Sequence, residues 1–208
     1  EALADDAGLT AGSMPRTVKD VLTELDRQEA SFLPAVLPDS GLTAAGYGIL
    51  KDGALVGWAE GDAALGVNLI FGRVDADVVE VTAPDGTRTA LRVVGAATSV
   101  KPVWQGETLT GLKVHCQVEA NLAEGTAMPD EATLTALEEE LACTEAGRMA
   151  QALELSRTLD ADYLGLRHSA AFRTPWRKEA LLGENGMAGL TLEATAQAAI
   201  QRSYHADG

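Results

Sequence analysis

The sequence predicts an α+β fold: a mainly antiparallel β-sheet packed against one long helix and shorter helices. Three observations carry that expectation. Two stretches alternate between apolar and polar residues, one long stretch repeats its apolar residues on a helical period, and Asp-Gly pairs separate short apolar runs. A chain of 208 residues suits one good-sized domain or two small ones, and 46% hydrophobic content excludes disorder as the general state. A domain of this size buries on the order of 70% of its unfolded surface, so it needs no metal or disulfide staple.

Residues Glu1 to Met14 mix Ala, Gly, Asp and Ser without period and read as a linker or the remnant of a preceding domain, leaving 15–208 as the domain itself. The opening residue Glu1 and the lack of a basic-then-apolar leader suggest a piece excised from a longer polypeptide. Thr17 or Arg16 caps a short helix whose apolar positions are Val18, Val21, Leu22 and Leu25, and Pro34 and Pro38 end it. Lys51-Asp52-Gly53 lies between two apolar runs within Ala44 to Trp58 and marks a hairpin. Glu60 to Gly72 reads as a short helix with Leu65, Leu69 and Ile70 inward. A second hairpin joins Asp77–Ala83 to Thr87–Val94 through Pro84-Asp85-Gly86.

Leu112, Val114, Cys116, Val118, Ala120 and Leu122 then alternate with polar residues, so one face is buried and one is wet. The alternation returns from Leu190 to Ile200, and a single solvated face is the habit of antiparallel sheets. Between these strands, Asp130 to Leu159 reads as the long helix, with Pro129 and Asp130 suited to its start. With Leu141 at zero, Leu134 and Ala152 fall at about 20°, Leu137 and Leu155 at about −40°, and Leu159 at about 0°. Glu145 and Arg148 interrupt that apolar face at ion-pair spacing and suggest a partly buried salt bridge. Gly147 costs about 1 kcal/mol in mid-helix, which a kink or the close approach of another backbone would explain.

Catalytic chemistry finds little support. There is no GxSxG elbow, phosphate-cradling GxxxxGK[ST] loop, HExxH or GxGxxG. His115, His168 and His205 are scattered, Glu138-Glu139-Glu140 diverge around a helix, and Asp160 with Asp162 fall short of a calcium loop, so no metal or cofactor is expected. Cys116 and Cys143 form no CxxC pair and read as two buried thiols. Trp58, Trp104 and Trp176 read as core or rim packing residues. The net charge of −15 argues against nucleic acid and disfavours adsorption to an anionic membrane. The longest uncharged apolar stretch, Ala63 to Gly72, falls well short of the roughly 20 residues of a spanning helix.

The order of segments adds a resemblance. Asp20 to Leu25, Leu33 to Pro38 and the Gly46–Trp58 stretch resemble the C subunits of nutrient germinant receptors in endospore-forming bacteria, the Ger(x)C (GerAC-like) lipoproteins. Thr98-Ser-Val-Lys101-Pro102, Val118-Glu119, and above all Leu159-Asp160-Ala-Asp162-Tyr163-Leu-Gly165-Leu with Pro175-Trp176 are similar to that family's stretches in order and spacing. The sequence differs from the pattern at Leu166 and in Trp176 following Pro175 directly.

The resemblance implies the C-terminal domain of a lipoprotein anchored, through an N-terminal lipid outside this chain, on the outer face of the spore inner membrane. It implies partners in the membrane-embedded A and B subunits, a role in nutrient-triggered germination and no catalytic residue. Direct sensing of a small nutrient is the alternative. Asp160, Asp162, Arg167 and Trp176 are the candidate interaction positions, because this polar and aromatic segment leaves the long helix on what reads as an exposed turn.

Overall fold

Thr17 starts the first helix, α1 (Val18–Gln28). Its hydroxyl accepts from the Asp20 amide at 3.1 Å, and the Asp20 carboxylate accepts from the Thr17 amide at 3.4 Å. The computed structural model describes residues 12–38, 42–74, 77–83, 86, 88–122, 129–183 and 186–201. Met14, which the sequence placed in the linker, is buried, and its amide donates to the Tyr47 hydroxyl at 2.6 Å. Along α1, Val21 is buried, but Val18 and Leu22 face outward.

Pro34 and Pro38 do not end this helix. It stops at Glu29, whose backbone is left-handed (φ 61°), and the chain enters strand β1 (Ala30–Pro38) at once. Proline is tolerated there because β1 is an edge strand, and its pairing shifts register between Pro34 and Val36. β1 pairs antiparallel with β2 (Leu42–Lys51), which pairs with β3 (Ala54–Ala59). The β2–β3 turn is the predicted hairpin. Asp52 and Gly53 both hold positive φ, 50° and 75°, which matches the twist of the flanking strands.

Helix α2 (Asp62–Ile70) follows, with Leu69 buried and Leu65 and Ile70 half-buried. The second sheet runs in the order β4 (Val78–Thr82), β5 (Arg88–Gln105), β6 (Thr108–Leu122), β7 (Thr191–Gln201). The β4–β5 hairpin forms as expected, although Pro84, Asp85 and Thr87 of its turn, like His205, lie outside the described residues. β5 is much longer than the sequence indicated. It bulges between Val93 and Gly95 and continues to Gln105 beyond the reach of β4, which frees the β4 side of the ladder at Pro102. The alternating residues Leu112 to Leu122 of β6 are buried as predicted.

Helix α3 (Glu131–Thr158) is the long helix of the sequence reading. Asp130 caps it, accepting from the Thr133 amide at 2.8 Å. It packs on β4, β7 and α2, with Leu137, Leu141, Met149, Ala152 and Leu153 buried. Helix α4 (Leu166–Arg173), a 3-10 turn (Pro175–Arg177), helix α5 (Lys178–Leu182) and a second 3-10 turn (Met187–Gly189) lead into β7.

β7 corrects the antiparallel expectation: it runs parallel to β6, from Gly111 opposite Thr191 to Asn121 opposite Gln201. A parallel neighbour needs a long crossover, and α3 with the segment after it supplies one. Alternation reported which side chains are covered and not the direction of the strand; on this outer strand Leu192, Ala194, Ala196 and Ala198 are half-buried against the core.

Two further expectations are corrected. Gly147 has no neighbour that a Cβ would meet; the close approach belongs to Gly66 of α2, where a Cβ would lie 2.2 Å from the Arg148 carbonyl oxygen. Cys143 is exposed, and only Cys116 is a buried thiol. Of the core and rim places open to the tryptophans, Trp58 and Trp176, at 53% and 78% exposed, take none in the core. Phe32 ties the first sheet to the segments that follow α2 and α3, meeting the rings of Tyr47, Phe71 and Tyr163 edge-on at 5.0, 5.1 and 6.2 Å.

Candidate functional site

The segment that leaves α3 folds back against the first sheet. Asp160 has a left-handed backbone (φ 49°), which turns the chain out of the helix. Lys51, at the end of β2, donates to the Asp160 carbonyl at 2.6 Å and pairs with its carboxylate at 3.5 Å. The other side of that carboxylate accepts from the Ala188 amide at 2.8 Å, the chief reason its pKa lies below the usual value. Gly186 leaves room for this carboxylate, because a Cβ at that position would sit 2.2 Å from it and displace the side chain.

Asp162 does not lie on an exposed turn. It is buried and caps α4, accepting from the amides of Leu166 at 2.8 Å and Arg167 at 3.0 Å. Burial pushes its carboxyl up to about 6 against the pull of those amides. Arg167 is tied to main-chain oxygens, donating to Leu181 at 2.5 Å and also to Gly183. Asp160, Asp162 and Arg167 therefore converge on one cavity of about 510 Å³. Arg27 and Glu29 from the end of α1, Lys51 and His168 complete its polar wall. Burial, then the nearby Arg27 and Arg167, holds His168 below its ordinary pKa, so it is neutral at pH 7.

Trp176 stands apart from this group. It borders a second cavity with Glu107, Arg177 and Lys178. Sequence reasoning missed Lys51 and Arg27 as neighbours of Asp160 because nothing local links positions more than a hundred residues apart; only the Lys51-Asp-Gly turn drew attention to that region.

A second surface lies on the outer face of the first sheet. Leu33, Gly48 and Trp58 occupy one row across the three strands. Leu33 and Trp58, with Leu55, are exposed. A Cβ on Gly48 would lie 3.0 Å from the Leu55 side chain and 3.3 Å from the Trp58 ring, so the missing side chain lets both lie across the strand.

The most unusual polar cluster is structural in its setting. Arg148 donates to Glu145 at 2.9 Å and to Asp77 at 2.7 Å, and its Nε lies 3.7 Å from Asp62. This bears out the salt bridge read from spacing and extends it to α2 and to Asp77, just before β4. Burial, only partly offset by Arg148, pushes the Glu145 carboxyl up to about 7 and also raises Asp77. Among the described residues, no group of three His, Cys, Asp or Glu could hold a metal ion, and no helix is long and apolar enough to cross a membrane.

Comparison with known proteins follows the same direction. Residues 45–203 match the family described as "Spore germination B3/ GerAC like, C-terminal". The fold is similar to the crystal structure of the GerBC protein, with a TM-score of 0.75 at 17% identity over 89% of this chain. The chain spans 61% of that protein's length. No curated protein sequence matches it.

Proposed function

Because the chain belongs to the spore germination B3/GerAC-like family, matched through its C-terminal region, we propose that it is a non-catalytic domain of a nutrient germinant receptor C subunit. It acts through contacts with membrane-embedded A and B subunits. The parent protein is held by an N-terminal lipid on the outer face of the spore inner membrane. The match across residues 45–203 carries this reading. Two surfaces support a contact role: the exposed apolar face of Leu33, Leu55 and Trp58, and the charged rim of Asp160 and Arg167. Asp162 contributes by holding the start of α4 in place.

The test is germination of spores lacking the parent gene, followed as optical density loss across a nutrient panel, with a complemented strain as control. A nutrient-specific defect restored by the gene is the expected result; normal germination on every nutrient, together with no capture of the A and B subunits by pull-down, refutes the reading. Charge reversal at Asp160 that leaves assembly and germination unchanged removes that residue from the contact surface.

The 510 Å³ cavity favours a second reading, direct sensing of a small nutrient, since it sets Arg27 and Arg167 near Asp26 and Glu29. A thermal-shift screen separates the two readings. A nutrient at about 100 times its dissociation constant adds roughly 2.7 kcal/mol of stability, and a null screen leaves the contact role.

A further inference from the structure

Phe172 and Trp176 are 89% and 78% exposed, the highest values for large apolar side chains among the described residues. They sit in a segment of unusual charge. From Tyr163 to Lys178 the sequence has no Asp or Glu and carries Arg167, Arg173, Arg177 and Lys178, in a chain whose net charge is −15. Arg173 and Lys178 are exposed, and no ion pair engages either of them among the described residues. Glu179 follows Lys178 directly and Glu107 lines the same cavity as Trp176 and Lys178, a group that does not include Arg173.

The segment is held rigidly. Arg177 stacks on the Trp104 ring at 4.4 Å and reaches the Gly106 carbonyl at 3.4 Å, which fixes the 3-10 turn against the β5–β6 hairpin. The Thr174 amide bonds to Ala170 at 3.0 Å and the Arg177 amide to Thr174 at 3.0 Å, while Pro175 has no amide hydrogen. The main chain around Trp176 can therefore enter a headgroup layer without stranding these donors.

We infer that the edge carrying Phe172, Arg173, Trp176 and Lys178 docks directly on an anionic lipid bilayer. Exposed aromatic rings beside cations with no intervening carboxylate match the interfacial region, where rings lie at headgroup depth and Lys and Arg meet lipid phosphates. The rest of the surface is acidic overall and is repelled, so the chain approaches in one orientation. The net charge of −15, which argues against membrane adsorption when averaged over the molecule, thus selects this edge. The inference concerns the chain and lipid alone and stands or falls separately from receptor assembly.

Flotation of the 208-residue chain with vesicles tests it, using phosphatidylcholine alone or mixed with phosphatidylglycerol, at low and physiological salt. Binding is expected on the anionic vesicles and weakens as salt rises. Arg173→Ala and Lys178→Ala each lower the partition roughly fivefold, and Phe172→Ala and Trp176→Ala each lower it roughly tenfold. Brominated lipid quenches tryptophan emission in the native chain and much less in Trp176→Phe, which keeps an aromatic ring and its binding. Thermal melts of all the variants should match the native chain because the altered side chains are exposed. Equal binding to both vesicle types, or anionic binding that survives the Phe172→Ala/Trp176→Ala double variant, overturns the inference. Absence of vesicle binding together with loss of A or B subunit capture in that variant assigns the edge to a protein partner and likewise overturns it.

Discussion

Replacing Glu145 by Gln tests whether an ionised carboxylate is buried between α2, α3 and β4. Glu145 is 0% exposed, its Oε1 accepts from Arg148 at 2.9 Å, and its Oε2 has no hydrogen-bond partner. Burial raises its pKa from 4.5 to about 7. A raised carboxyl pKa means the folded state holds the proton more tightly than the unfolded state. The contribution to stability is complete below about pH 4.5 and is lost as pH rises to about 7. At about 1.4 kcal/mol for each pH unit, ionisation in place costs about 3 kcal/mol above pH 8. Gln keeps the shape and removes the charge. Its variant should equal the native chain near pH 4 and exceed it by up to about 3 kcal/mol at pH 8, about 6 to 12 °C in Tm for a chain of this size. Calorimetric melts of both chains from pH 4 to 9 measure the difference, which cancels the parallel titration of Asp162. A native-minus-variant difference that does not change across this range refutes the buried carboxylate.

Three other outcomes follow from the same geometry. Arg148→Met leaves Glu145 and Asp77 buried without their cation and should lower stability at pH 8 by about 3 to 5 kcal/mol in denaturant titration; the loss should shrink at pH 5, where Glu145 is protonated. Gly66→Ala places a methyl 2.2 Å from the Arg148 carbonyl oxygen, and forcing α2 from α3 should cost about 1 to 3 kcal/mol, whereas Gly147→Ala, which meets nothing, should gain about 1 kcal/mol. Asp162→Ala removes the cap of α4 and should cost about 1 to 2 kcal/mol, with Asp162→Asn recovering only part of it because its amide nitrogen cannot accept the second bond; a neutral effect of the alanine would place the start of α4 under other control.

Local pattern determined a good part of this protein. The span of α3, the buried face of β6, the positive-φ hairpin at Asp52-Gly53 and the Glu145–Arg148 pair were all legible, because each depends on residues a few positions apart and on the fixed periods of helix and strand. The candidate site was legible only as a segment. Asp160, Asp162 and Arg167 were found by their polarity at a helix exit, but polarity does not tell a cap from a surface charge, and Asp162 proved to be the cap of α4.

The tertiary structure decided what periodicity cannot carry: partners and direction. Lys51 meets Asp160 across 109 positions, and Asp77 meets Arg148 across 71, because two sheets and a crossover helix bring distant segments together. β7 lies parallel to β6 because α3 returns the chain to the same end of the sheet, while its alternating residues would read identically in either direction. The same holds for the exposure of Phe172 and Trp176, since an apolar residue type does not by itself tell core from surface. They stand in solvent because the 3-10 turn is fastened to the β5–β6 hairpin through Arg177 and Trp104, and no described element covers them.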